Sequence, residues 1–89
     1  MSENNKPAAK VTLHPVSAAI WRNQTQKGEV FYSTTFERSY RDEAGNWKSS
    51  DSFNAADLLL LAKVADEAHT KIYELRASDR QAQHEDQAA

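Results

Sequence analysis

The chain predicts an α+β domain: a twisted antiparallel sheet of three to four strands, wound as a meander, then one long C-terminal helix packed on it. Three observations carry that prediction. Phe, Trp, Thr, Val and two of the three Tyr lie mainly before residue 54, in runs that suit a pleated surface. From Ala55 to about Ala77 the chain holds no Gly or Pro and is rich in Ala, Leu, Lys and Glu. Between these halves lies Ser52-Phe53-Asn54-Ala55-Ala56-Asp57-Leu58-Leu59-Leu60-Leu61, where strand character gives way to a helix start.

Residues 1–10 are polar and proline-bearing and read as a flexible N-terminal arm. Val11 to Leu13 is a short leading strand or an extension of the next one. Pro15 cannot donate to a ladder, so it marks an edge, a bulge or a break. Val16 to Asn23 is the first clear strand, and Gln26-Lys27-Gly28-Glu29 is the turn after it, with Gly28 free to adopt positive φ. The register of this first hairpin decides which of Ile20 and Trp21 faces the helix, because a one-residue slip exchanges them.

Val30 to Arg41 is the central strand. One parity collects Val30, Tyr32, Thr34, Phe36, Arg38 and Tyr40 and is expected to face the helix. The other collects Phe31, Ser33, Thr35, Glu37, Ser39 and Arg41 and is expected to face solvent or a ligand. Asp42 to Asn46 forms the second turn around Gly45. A four-residue loop there pairs Arg41 with Asn46 and sets Tyr40 opposite Trp47. Trp47 to Phe53 completes the strands.

Asn54 is the expected N-cap, Asp57 its capping-box partner, and Phe53 with Leu58 a hydrophobic staple. Leu58, Leu61, Ala62, Ala65, Ala68 or His69, Ile72 and Leu75 form the stripe expected to cover the sheet. Four consecutive leucines exceed what one small sheet covers. Leu59, Leu60 and Val64, on the flanks, are therefore expected at a homodimer interface. The folded domain is expected over residues 11–76, and residues 77–89 read as a polar flexible tail.

An 89-residue chain with no cysteine makes one small domain without disulfides or thiolate metal sites. The apolar run Leu58 to Ala62 is far too short to span a bilayer, and the N-terminus has no signal-peptide core, so a cytoplasmic setting without membrane partners is expected. Charge divides unevenly. Residues 10–50 carry six Lys and Arg against four Asp and Glu, whereas residues 51–89 carry four against eight.

No nucleophile elbow, phosphate-cradling glycine loop or metal-binding helix motif is present. His14, His69 and His84 are scattered, and His69 fits a half-buried packing role or a dimer contact rather than a ligand role. Asp66 and Glu67 are adjacent and project about 100° apart on a helix, so they do not converge as an acid and base. An enzyme, a cofactor and a bound metal are all unexpected.

The strand half instead mixes aromatic rings, cations and hydroxyls: Trp21, Arg22, Asn23, Phe31, Ser33, Thr35, Arg38, Arg41, Trp47 and Lys48. Flat rings that stack bases and cations that meet phosphates are the means by which many single-strand binders work. Arg22, Arg38, Arg41 and Lys48 are the expected phosphate contacts, and Trp21 and Phe31 the expected stacking rings. Each aromatic also has a place open to it in the core.

The strand meander with two glycine turns, then a capped helix with an extra apolar stripe, resembles the single-stranded-DNA-binding fold of the positive-cofactor-four and Whirly proteins. Ala18 to Thr25, Ser39 to Asp42, Ser50 to Phe53 and Asp57 to Ala65 are also similar to a group of short, mostly uncharacterised bacterial proteins. The first resemblance implies a homodimer whose curved sheets grip single-stranded DNA or RNA. The alternative expectation is a small dimeric protein-interaction module, favoured by the chain's mild acidity.

Overall fold

The computed structural model describes residues 6–88, with side chains described for residues 6–81. Strands β1 (Ala9–Leu13), β2 (Val16–Gln24), β3 (Val30–Arg41) and β4 (Trp47–Ser50) form one antiparallel sheet in the order β1-β2-β3-β4. A 3₁₀ turn at Ala55–Asp57 leads into the single helix α1 (Leu58–Ala88). This is the expected α+β meander, with the leading segment a strand in its own right.

Pro15 sits in a two-residue turn with a cis peptide bond after His14, so that Leu13 pairs with Val16. That position requires no ladder donor from the proline. Pairing also starts earlier than expected: Ala9 and Lys10 belong to β1, and the Ala8 N–H donates to the Ile20 carbonyl at 2.7 Å. Met1–Asn5 of the expected arm lie outside the described residues.

The two longer hairpins close alike. Thr25 and Asp42 each accept, through a side-chain oxygen, the N–H four residues on, at 3.1 and 2.9 Å. Gly28 and Gly45 each take φ of 87° and donate to the Thr25 and Asp42 carbonyls. In the second hairpin the Asp42 N–H donates to the Asn46 carbonyl, giving a five-residue loop from Asp42 to Asn46. Arg41 therefore pairs with Trp47, and Tyr40 with Lys48. The expected Tyr40–Trp47 pair is replaced, and Trp47 moves to the opposite face of the sheet.

In the first hairpin Ile20 pairs with Thr34 and Trp21 with Ser33. Ile20 thus shares the helix face with Val16 and Ala18, and all three are buried. Val64 and Ala68 of α1 complete this core, with Leu60, Leu61, Ile72, Leu75 and Phe53 packed around it. Each fully buried Val or Ile side chain contributes about 1.5–3 kcal/mol by leaving water. Ala18 and Ala68 are small, which suits close approach of helix to sheet. The helix lies chiefly over β1 and β2.

The helix is rotated from the expected stripe. Leu58 and Ala62 are exposed, and Val64, expected at a subunit interface, is 0% exposed within its own chain. Leu60 is partly buried against the same core. The line Leu61, Val64, Ala68, Ile72, Leu75 keeps the i, i+3, i+4 spacing and passes under the helix axis. His69 is exposed and its ring meets Tyr73 at 4.8 Å, so of the two roles expected of it the half-buried packing one is not taken up. The helix continues to Ala88, beyond the expected boundary after residue 76.

Arg38 fastens the start of the helix to the sheet. Its Nε donates to the Ser52 carbonyl at 2.8 Å and lies 3.6 Å from an Asp57 carboxylate oxygen. The same oxygen accepts the Asn54 N–H at 3.1 Å, which is the carboxylate half of a capping box. β4 ends at Ser50, so residues 51–54 are connector. The staple residue Leu58 stays 52% exposed.

Candidate nucleic-acid interface

Strand alternation divides the six cations and rings expected at the site between two faces. Trp21, Phe31 and Arg41 point away from the helix, as their ladder partners Ser33, Asn23 and Trp47 do. Arg22, Arg38 and Lys48 share the parity of Ile20, Thr34 and Tyr40 and lie on the helix side. The six therefore do not form one surface. Arg38 is committed to the helix start, as described above. Lys48 lies 3.7 Å from Asp42, an exposed pair of little energetic consequence.

Arg22 belongs to a third arrangement. Its guanidinium is 3.5 Å from Asp79 near the far end of the described helix side chains, and the Tyr32 hydroxyl donates to the other Asp79 oxygen. Burial first, then the bond to Asp79, pushes the Tyr32 phenol above its ordinary value. The hydrogen bond to Tyr32 chiefly, with the charge of Asp79 adding to it, raises Arg22 against the opposing effect of burial. This cluster ties β2 and β3 to the second half of α1.

The face turned away from the helix has a different character. At one end the Arg41 guanidinium lies 5.0 Å from the Trp47 ring centroid, a cation–π contact. The His14 ring meets the same indole edge-on at 5.6 Å. Trp47 remains 57% exposed despite both neighbours. Toward the other end Trp21 and Phe31 occupy diagonal positions across β2 and β3, whose separation is about 7–8 Å in an antiparallel ladder. Phe31 is 50% exposed.

Polar side chains fix the ground between the rings. Trp21 Nε1 donates to Thr35 Oγ1 at 3.1 Å, which sets the indole plane. Asn23 Nδ2 donates to Ser33 Oγ at 3.2 Å and to the Trp21 carbonyl at 3.3 Å. The strand residues of this face carry Lys10 and Arg41 against a single acid, Glu37. From Phe31 to Arg41 the strand runs about 33 Å, at roughly 3.3 Å per residue.

His14 joins the site although it was not expected there, and Trp47, part of the expected mix of rings and cations, joins it on the helix-free face rather than opposite Tyr40. The signal for Trp47 lay in Asp42 and Gly45, whose side-chain cap and positive φ lengthen the loop by one residue. His14 carries no local signal, since only the folded sheet brings the first turn beside β4. Among the described residues no group of three His, Asp or Glu side chains is placed to hold a metal ion. His84 lies outside the described side chains. No described helix is long and apolar enough to cross a membrane. Neither a protein-family model, nor a curated protein, nor a solved structure matches this chain.

Proposed function

We propose that the helix-free face of the sheet binds single-stranded nucleic acid. The observation that carries the proposal is the exposed Trp47 ring held between Arg41 and His14 on that face. An exposed indole offers a flat apolar ring on which a base stacks, and an adjacent guanidinium meets a phosphate. Trp21 and Phe31 supply further stacking surfaces along β2 and β3, and Lys10 and Arg41 the cationic contacts. Arg22, Arg38 and Lys48 leave the proposed site, because they lie on the other face.

The test is fluorescence anisotropy of a labelled single-stranded DNA of mixed sequence, at low and high salt. Stacking of one base is worth about 1–3 kcal/mol, so Trp47→Ala weakens binding roughly 5- to 150-fold. Arg41→Ala weakens it as well and lowers the salt slope by about one. A matching duplex competes poorly. No saturable binding at tens of micromolar protein in low salt removes the proposal and favours the alternative, a protein-interaction module.

We further propose that the chain acts as a homodimer. Leu59 is 85% exposed beside the exposed Leu58. Sedimentation equilibrium checks this, with Leu59→Lys expected to give a folded monomer. A wild-type monomer at 100 micromolar overturns it.

A further inference from the structure

Tyr32 and Asp79 line one side of a cleft of about 510 Å³ between the β2–β3 hairpin and α1. Gly28 and Val30 line it from the hairpin, and Arg76 and Arg80 from the helix. This volume falls within the range of small-ligand sites. Space around Gly28 is open, since no atom lies within 4 Å of where a Cβ would stand.

Arg76 and Arg80 are four residues apart on α1, so their guanidinium groups share one helix face. Such a like-charge pair disfavours the helix unless an anion compensates it. Among the described residues neither arginine forms an ion pair. Asp79, one residue from Arg80 and three from Arg76, is engaged by the Tyr32 hydroxyl and by Arg22, and Glu74, two residues from Arg76, by Lys71. Glu29, at the rim, is exposed. Arg76 also borders two smaller recesses, one against Tyr73 and one floored by Val30 and Ile72. The cleft thus joins two cations that form no ion pair among the described residues to an exposed ring and apolar ground.

We propose that this cleft is a second ligand site, away from Trp47 and Arg41 and bordering the sheet face at Phe31, that binds a phosphate monoester through Arg76 and Arg80. Paired guanidiniums match the oxygens of a phosphate dianion, and the bonds are charge-assisted. The apolar recesses and Tyr73 take the group that the phosphate carries. Either a free nucleoside monophosphate or the 5′-phosphate of a short strand supplies this chemistry.

The test is two-dimensional amide NMR of the full chain, titrated with inorganic phosphate and then with adenosine 5′-monophosphate. Chloride at matched ionic strength is the control. Phosphate is expected to shift Gly28, Arg76 and Arg80 saturably, and the nucleotide to do so at lower concentration. Arg76→Gln and Arg80→Gln each weaken binding about tenfold, as loss of one charge-assisted hydrogen bond implies. Lys71→Gln, which removes a helix cation paired with Glu74 outside the cleft, leaves binding unchanged. A 5′-phosphorylated trinucleotide that outbinds the mononucleotide identifies a strand end as the source, and the reverse identifies a free nucleotide. Shifts no larger than those from chloride, or full binding by the folded double variant, overturn the proposal. Neither result touches Trp47 and Arg41, so this failure is distinct from failure of the sheet face.

Discussion

Arg38 and Arg41 lie three residues apart on β3 and face opposite ways, which gives their substitutions opposite consequences. Arg38→Met keeps an apolar stem but removes the donor to Ser52 and the charge beside Asp57. The side chains of Arg38 and Asp57 are only 18% and 13% exposed, so water replaces the lost partners poorly. A hydrogen bond involving a charged group contributes about 1.5–3 kcal/mol, and the ion pair adds at most about 1 more. Asp57 retains the Asn54 N–H, which limits the penalty of an orphaned carboxylate. A loss of about 2–3 kcal/mol follows, a large share of the stability of so small a domain. Urea unfolding followed by far-ultraviolet circular dichroism reads this as a lower midpoint at unchanged slope. Arg41→Ala in the same assay stays within about 0.5 kcal/mol, as an exposed substitution does. If Arg38→Met leaves the midpoint in place while abolishing single-stranded DNA binding, Arg38 is a ligand contact and the division into two faces is wrong.

Three further outcomes are expected. Ile20→Ala costs about 2–5 kcal/mol by urea unfolding, more than Trp21→Ala, because Ile20 is the buried member of the pair; the reverse order places the first hairpin one residue out of register. Val64→Ala costs about 2 kcal/mol, from about 0.8 per buried carbon plus a small cavity, whereas Leu59→Ala at low protein concentration costs under 0.5. Tyr32 has its pKa raised by folding, so the native state holds that proton more tightly than the unfolded chain. Its contribution is complete below the unfolded value of about 10 and is lost as pH rises through the folded one. Wild-type stability is therefore expected to fall between pH 9 and 11 more steeply than that of Tyr32→Phe, and equal slopes in the two proteins contradict the role given to the Tyr32–Asp79 bond.

Much of this architecture is local and so was legible in the chain. The break at Asn54 needs only a capping residue, an acid three positions on and a helical run behind it, all within ten residues. The central strand needs only its aromatic and β-branched composition and two glycine turns. Those signals also separate Phe31 and Arg41 from Tyr32 and Tyr40, because parity along one strand is fixed by the pleat alone.

What tertiary structure decided is how the strands slide and how the helix rolls. Register depends on loop closure: a carboxylate cap from Asp42 adds one residue to the second loop and turns Trp47 away from the helix. The roll of α1 depends on which residues fit against Ala18, and that placed Val64 rather than Leu58 inside. His14 and Trp47, and likewise Arg22 and Asp79, are distant in sequence and meet only once all four strands and the helix are in place. Local pattern alone thus gave three of the four strands, the helix start, their order and the side-chain parity along β3, while β1 stayed open between a strand and an extension. The pairing of one element with another, and with it the surface offered to a partner, was settled by long-range packing and loop hydrogen bonds that leave no periodic trace in the chain.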